Sequence, residues 1–216
     1  MVVLELEARP LRRDAQRNRE RIVAAARTVF AEEGVDAPVE AVARRASVGM
    51  GTLYRRFPTK EDLIDAVLED ALAEFTSAGE EALALEDAWE GLRIFLERIF
   101  ALHVQNRCLK DVLAARAHGR ARVEAMREKM RPLVKQLVER AQAQGALRPD
   151  FTPADVSLVL WSGGHIVDAT AAIAPDAWRR YLGLLLDGLR ADGATPLDAP
   201  PLTRSQVERV LERRRK

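Results

Sequence analysis

Residues 38–57 hold the side chains whose types and spacing point most directly to a chemistry. They read Pro38-Val-Glu-Ala-Val-Ala-Arg-Arg-Ala-Ser-Val-Gly-Met-Gly-Thr-Leu-Tyr-Arg-Arg-Phe57. Two helical stretches of about two turns each flank the tight turn Ser47-Val48-Gly49. The second stretch turns Met50, Gly51, Thr52, Tyr54, Arg55 and Arg56 outward. Thr and Tyr hydroxyls bond phosphate oxygens, and an Arg fork fits guanine or phosphate. Glycine lets a backbone come close to DNA, yet each glycine in a helix costs about 1 kcal/mol relative to Ala. A plain solvated helix has no need of Gly49 and Gly51 within two turns. The chemistry expected here is recognition of double-stranded DNA.

Other chemistries find less support. His103, His118 and His165 are far apart in the chain. No His-x-x-x-His, Cys-x-x-Cys, Gly-x-Ser-x-Gly or P-loop pattern occurs. No catalytic residue, metal or cofactor is expected. A helical enzyme, and a dimeric adaptor that binds protein through its head, stand as the alternatives. Salt dependence separates the adaptor from a DNA binder, because DNA binding releases counterions. The single cysteine, Cys108, excludes an internal disulfide framework and suits a reducing cytoplasm.

The elements that must position residues 38–57 read as helices almost throughout, so the expected fold class is all-α. Apolar residues recur at three and four, with no period-2 stretch and no hairpin turn. The spacing predicts a first helix over about 14–33, with the stripe Ile22, Ala25, Ala26, Val29 and Phe30 and a stop at Gly34. Short helices follow over 38–45, with Pro38 at the first position, and over 50–56. The apolar side of this pair, including Val42, Leu53 and Phe57, needs the first helix to bury it. The product is a three-helix unit with helix-turn-helix geometry.

Thr59 and Asp62 stand at capping-box spacing and open a fourth helix, expected to end near Gly79. Further helices are expected over 86–105, 109–117, 119–145 with a bend at Pro132, 152–173, 175–190 and 203–216. Thr152 and Thr203 open the first and last of the final three as caps. The domains are then 13–57 with a linking helix over 58–79, a helical body over 80–191, and a linker with a basic tail over 192–216.

Composition sets the outer limits. The chain has 216 residues, 48% hydrophobic and 31% charged, which is a globular balance. No apolar run is long enough for a membrane span, and the N-terminus does not read as a secretory signal. Lys and Arg number 34 against 33 Asp and Glu, a net of +1. That near-neutrality is an average. Residues 1–60 contain twelve basic and eight acidic side chains, a net of +4, and the remainder carries −3. A basic head on an acidic body accords with nucleic-acid contact.

The same residues resemble the TetR/AcrR group of bacterial transcriptional regulators. The matching pattern is Arg19-x-x-Ile22-Val23-x-Ala25-Ala26-x-x-Val29-Phe30-x-x-x-Gly34, then Val42-Ala43, then Val48-Gly49-Met50-Gly51-Thr52-Leu53-Tyr54-Arg55-Arg56-Phe57-Pro58-Thr59-Lys60-Glu61-Asp62-Leu63. It covers about residues 13–68. The remainder resembles the SbtR-type branch in length and general pattern. The resemblance implies a homodimeric DNA-binding regulator, expected to repress from a pseudo-palindromic operator and to be released by a small molecule.

It also implies site residues. Those expected at DNA are Ser47, Gly49, Met50, Gly51, Thr52, Tyr54, Arg55, Arg56 and Lys60, with Tyr54 and Lys60 on phosphate. The chain departs from the family at Pro38, where Thr is usual, and at Ser47, where Gly is usual. Relatives dimerise through their last two large helices. Here that selects Val159, Trp161, Ile166, Trp178, Tyr181, Leu182, Leu185 and Leu189. Gly163-Gly164 fits a close helix crossing at that seam. Relatives hold a ligand in the body, for which the large or polarizable candidates are Trp89, Phe95, Phe100, His103, Met126, Met130, Trp161 and His165. Ordinary core packing is the competing reading for each of these eight.

Overall fold

The computed structural model describes residues 3–105 and 119–213. Among them there are nine helices and no strand; one isolated antiparallel bridge joins Leu147 to Arg190. The helices are α1 (Val3–Glu33), α2 (Val39–Arg45), α3 (Met50–Arg56), α4 (Lys60–Ala84), α5 (Ala88–Gln105), α6 (Gly119–Ala143), α7 (Pro153–Thr170), α8 (Ala177–Leu189) and α9 (Arg204–Arg213). None of the described helices is long and apolar enough to cross a membrane. The helix expected over 109–117 and the end of the tail, 214–216, lie outside the described residues, as does Cys108.

The described chain forms two compact units, one ending at Ala71 and the other beginning at Leu72, so α4 belongs to both. In the first unit α1 supplies the wall against which α2 and α3 bury their apolar sides. Ile22, Val23, Ala26 and Phe30 are fully buried, and Val42, Leu53, Phe57 and Leu63 join them in one cluster. Leu53 is the anchor of α3, at 1% exposure, and burying such a side chain contributes about 2 kcal/mol.

In the second unit α5 is the central helix, with Leu92, Phe95, Leu96 and Phe100 fully buried. Phe95 meets Phe75 edge-on at 5.0 Å, and α6, α7 and α8 close around them. Arg148 latches the segment that follows α8. Its guanidinium donates to the carbonyls of Gly188 (3.2 Å) and Thr195 (2.6 Å) and pairs with Asp150, which also accepts the Leu197 N–H at 3.3 Å. The helix α9 then ion-pairs with α6 through Arg131–Glu208, at 3.3 Å, and Arg204–Glu128.

Three helix starts follow the expected capping. Asp62 accepts from the Thr59 N–H and hydroxyl at 2.9 and 2.7 Å. Asp155 accepts the same pair from Thr152 at 2.8 and 2.7 Å, and Gln206 from Thr203 at 2.8 and 2.9 Å. Each arrangement satisfies donors the first turn would leave orphaned.

Several boundaries differ from expectation. α1 begins at Val3, well before residue 14, although it stops as expected before Gly34, whose φ is +87°. Pro38 occupies the cap position, one residue before α2, with φ −67° and ψ 142°. α4 passes through Gly79 to Ala84. Gly79 is there for close packing: a Cβ would sit 2.1 Å from the Leu133 side chain. The Gly163 argument changes in the same way. A Cβ at Gly163 would meet the Phe100 ring at 2.1 Å, so the close crossing is between α5 and α7 of the same chain.

Candidate nucleic-acid interface

The turn between α2 and α3 is built by backbone hydrogen bonds. The Val48 N–H donates to Ala43 O at 3.0 Å and the Ser47 N–H to Arg44 O at 3.1 Å. This is the Schellman pairing that ends a helix, and it demands a left-handed residue at its centre. Ser47 takes that conformation, at φ 53°, alone among the described non-glycine residues. The chain then extends through Gly49 (φ −72°, ψ 151°), and the Gly49 carbonyl accepts the first bonds of α3 from Thr52 (2.9 Å) and Leu53 (3.1 Å).

Burial sorts α3 into two faces. Leu53 and the capping Phe57 point into the core; Met50 is half-buried against it. Gly51, Tyr54, Arg55 and Arg56 are exposed, Tyr54 at 46%, and Thr52 is half-buried between them. Arg55 Nη2 lies 3.5 Å from Thr52 Oγ1, the outer limit of a hydrogen bond. Ser47 and Gly49 are exposed at the turn, beside the start of the same face.

The glycines of this face have no internal reason to be glycine. Neither Gly49 nor Gly51 has a positive φ, and a Cβ at either meets no atom within 4 Å. This contrasts with Gly79 and Gly163, where a Cβ collides. The space in front of Gly51 is open and admits close approach by another molecule.

Electrostatics point the same way. Residues 41–60 contain five basic side chains and no acidic one. Arg45 is neutralised by Glu32 on α1 at 2.6 Å; Arg44, Arg55 and Arg56 are exposed. Lys60 is the first residue of α4. A cation there opposes the helix dipole, an unfavourable placement of a few tenths of a kcal/mol that an incoming phosphate reverses. Arg19 stabilises the α3–α4 junction, with its guanidinium 5.9 Å from the Phe57 ring centre and 3.5 Å from Glu69.

The body candidates are distributed differently. Phe95 and Phe100 are fully buried, and Trp89, at 9%, lies under the Arg190 guanidinium at 4.6 Å. Met126 and Met130 are half-buried on α6, Met130 against the core. His103 is half-buried beside Gly164, and its Nδ1 lies 3.1 Å from Ile99 O. Trp161, 37% exposed, meets the His165 ring at 4.3 Å, the two planes tilted by 54°. The structure therefore brings Phe100 and His103 to the α5–α7 crossing and pairs Trp161 with His165 on α7.

Two of the residues selected for a partner surface lie inside the chain's own core. Trp178 and Leu182 are only 3% and 1% exposed there, and Trp178 faces Phe100 at 6.1 Å. Their spacing of four, continued by buried Leu186, marks the inner face of α8. Val159, Ile166, Tyr181, Leu185 and Leu189 remain half-buried, with the Tyr181 hydroxyl donating to Ser162 Oγ at 2.9 Å. Leu184, not among the residues selected from the sequence, is 62% exposed. It is three residues from Tyr181 and four from Gly188, a spacing that already placed it on the outer stripe.

Comparisons with known proteins agree with this construction. Residues 22–67 match the model for bacterial regulatory proteins of the tetR family, and residues 87–191 match the transcriptional regulator SbtR-like C-terminal domain. A TetR transcription regulatory protein from Mycobacterium vanbaalenii is similar at 31% identity and a TM-score of 0.65, over 84% of this chain and 99% of that one. The TetR transcriptional regulator SCO0520 from Streptomyces coelicolor is similar at 34% identity and a TM-score of 0.60, over 80% and 98%. An HTH-type transcriptional regulator from Staphylococcus aureus is 31% identical over 107 residues, and the chain spans 58% of that relative's length. These relatives are regulators, not enzymes, and the exposed, basic, glycine-containing face of α3 lies inside residues 22–67, which match the tetR family model. The chain belongs to the TetR family of transcriptional regulators and carries that family's DNA-binding helix-turn-helix.

Proposed function

We propose that the chain is a homodimeric repressor that reads a pseudo-palindromic operator with α3 and is released by a small molecule held in its second unit. The observation that carries the DNA half is the open face of α3: Gly51, Tyr54, Arg55 and Arg56 exposed, with glycines that packing does not require. Tyr54 and Lys60 hold phosphate and set register; Arg55 and Arg56 reach toward base edges in the major groove. Ser47, Gly49, Met50 and Thr52 complete the contact surface. The DNA-binding domain is residues 13–57, α4 links it onward, and the body ends near residue 191.

One head buries too little DNA for specificity, and a two-fold dimer doubles the contact. The surface that supports dimerisation is the outer stripe of α7 and α8, with Trp161, Tyr181 and Leu184 supplying apolar area. Effector binding in the body would favour a head spacing that misfits successive grooves, a shift between two states with reciprocal linkage. The residues supporting an effector site are Phe100 and His103 at the α5–α7 crossing.

Footprinting of the purified chain on DNA upstream of its own gene tests the operator reading. A protected, two-fold symmetric segment is expected. Binding that is insensitive to salt would refute a phosphate-driven interface. Operator binding that no small molecule modulates would refute the release step.

A further inference from the structure

We infer that Arg21 is a positioning residue for the DNA-reading helix: it clamps the 46–47 peptide and so holds Ser47 in the left-handed conformation from which α3 departs. The inference rests on α3 being the helix that reads DNA. Arg21 Nη2 donates to the Ala46 carbonyl at 2.7 Å, twenty-five residues along the chain. That carbonyl is at the C-cap of α2, where a helix end leaves acceptors orphaned and the dipole is negative. A guanidinium satisfies both demands at once.

The consequence follows from which peptide is held. The Ala46 carbonyl and the Ser47 N–H belong to one rigid plane. Its N–H end is fixed by Arg44 O at 3.1 Å and its carbonyl end by Arg21 at 2.7 Å. Rotation of this plane is the motion that would carry Ser47 from φ 53° to a relaxed negative value. Left-handed backbone is unfavourable for a residue with a Cβ, so the relaxed state is a real competitor. A relaxed Ser47 would also break the Val48 N–H bond to Ala43 O and re-aim Gly49 and α3. Arg45, paired with Glu32 at 2.6 Å, ties the last turn of α2 to α1 as well, but it does not touch the peptide plane. Arg21 itself is exposed, so its role is not core packing.

The test is a double-mutant cycle of Arg21→Met and Ser47→Gly. Arg21→Met keeps the apolar stem and removes the donor; Arg21→Lys keeps a cation. The probe is a duplex recovered from random DNA by selection with the wild-type protein, followed by fluorescence anisotropy. Arg21→Met is expected to weaken binding about tenfold, the scale of one charge-assisted hydrogen bond. Arg21→Lys should recover part of it. In the Ser47→Gly background the same Arg21→Met change should cost less than about twofold, because glycine holds the left-handed turn unaided. The salt slope of the affinity should stay constant, whereas loss of a direct phosphate contact would lower it by about 0.9.

An equal loss in both backgrounds overturns the clamp, and so does a lowered salt slope. The cycle is also read as thermal midpoints without DNA, where Arg21→Met should lower the midpoint less when Ser47→Gly is present. Additive midpoints overturn the clamp independently. A wild-type selection that enriches no sequence strikes the reading of α3 and leaves the midpoint cycle to decide on Arg21.

Discussion

Gly51→Ala separates folding from recognition in a single methyl group. Gly51 is the second residue of α3, exposed, with helical backbone and nothing within 4 Å of where a Cβ would stand. The substitution therefore introduces no internal clash. It raises helix propensity and restricts the unfolded chain, each worth a fraction of the ~1 kcal/mol glycine penalty at this first-turn position. A gain of about 0.5–1 kcal/mol is expected, or roughly 1–4 °C in thermal midpoint. Gly49 is a poorer probe, because glycine is itself preferred over Ala at an N-cap.

On the DNA side the sign reverses. A methyl projecting from a face that approaches a phosphate backbone displaces it, and overpacking of close contacts costs about 1–3 kcal/mol. Affinity for a selected duplex should fall about fivefold to a hundredfold. The assay is a pair of measurements on one preparation: a thermal melt followed by circular dichroism, and an anisotropy titration at fixed salt. A protein that melts higher and binds equally well would refute close approach at Gly51. One that melts lower would refute the open space in front of it.

Phosphate and base contacts should part under mutation. Tyr54→Phe and Lys60→Ala are expected to weaken binding about equally on all sequences, while Arg55→Ala relaxes preference at one base step; a repeated binding-site selection that returns the wild-type motif for Arg55→Ala would remove its base-reading role. Leu184→Asp places a charge on the outer stripe of α8 and should shift a dimer toward monomer in analytical ultracentrifugation, with little change in the melt, since Leu184 is 62% exposed. Gly163→Ala should destabilise the body by about 1–3 kcal/mol in urea unfolding, because its methyl falls 2.1 Å from the Phe100 ring; Gly164→Ala, with its nearest neighbour at 3.4 Å, should cost less. The Arg148 guanidinium holds the Asp150 carboxyl down at about 2, from an ordinary 3.8. A depressed carboxylate stabilises fully above its unfolded value, so the latch on residues 188–197 should hold above pH 4 and loosen as pH falls toward 2, read as faster exchange of the Leu197 amide than expected from acid alone.

Much of this protein is already determined by local sequence. Helix identity follows from apolar spacing and from caps such as Thr59–Asp62 and Thr152–Asp155, whose partners are three residues apart and need no tertiary structure to meet. The exposure of Gly51, Tyr54, Arg55 and Arg56 was readable because one buried residue, Leu53, orients a helix of two turns, whereas Met50, also read as outward, packs half-buried against the core. Tertiary structure decided what depends on contacts between distant residues. Gly79 and Gly163 read alone as a stop and as a partner seam; only Leu133 and Phe100 arriving from other helices show them to be close crossings within the chain. Trp178 and Leu182 carry an apolar label that says they are covered, but not by whom, and the core of the same chain covers them. Arg21 is one basic residue among many until the fold carries it to the Ala46 carbonyl. Spacing along a chain specifies which side chains share a face, whereas the identity of whatever lies against that face is a property of the folded whole.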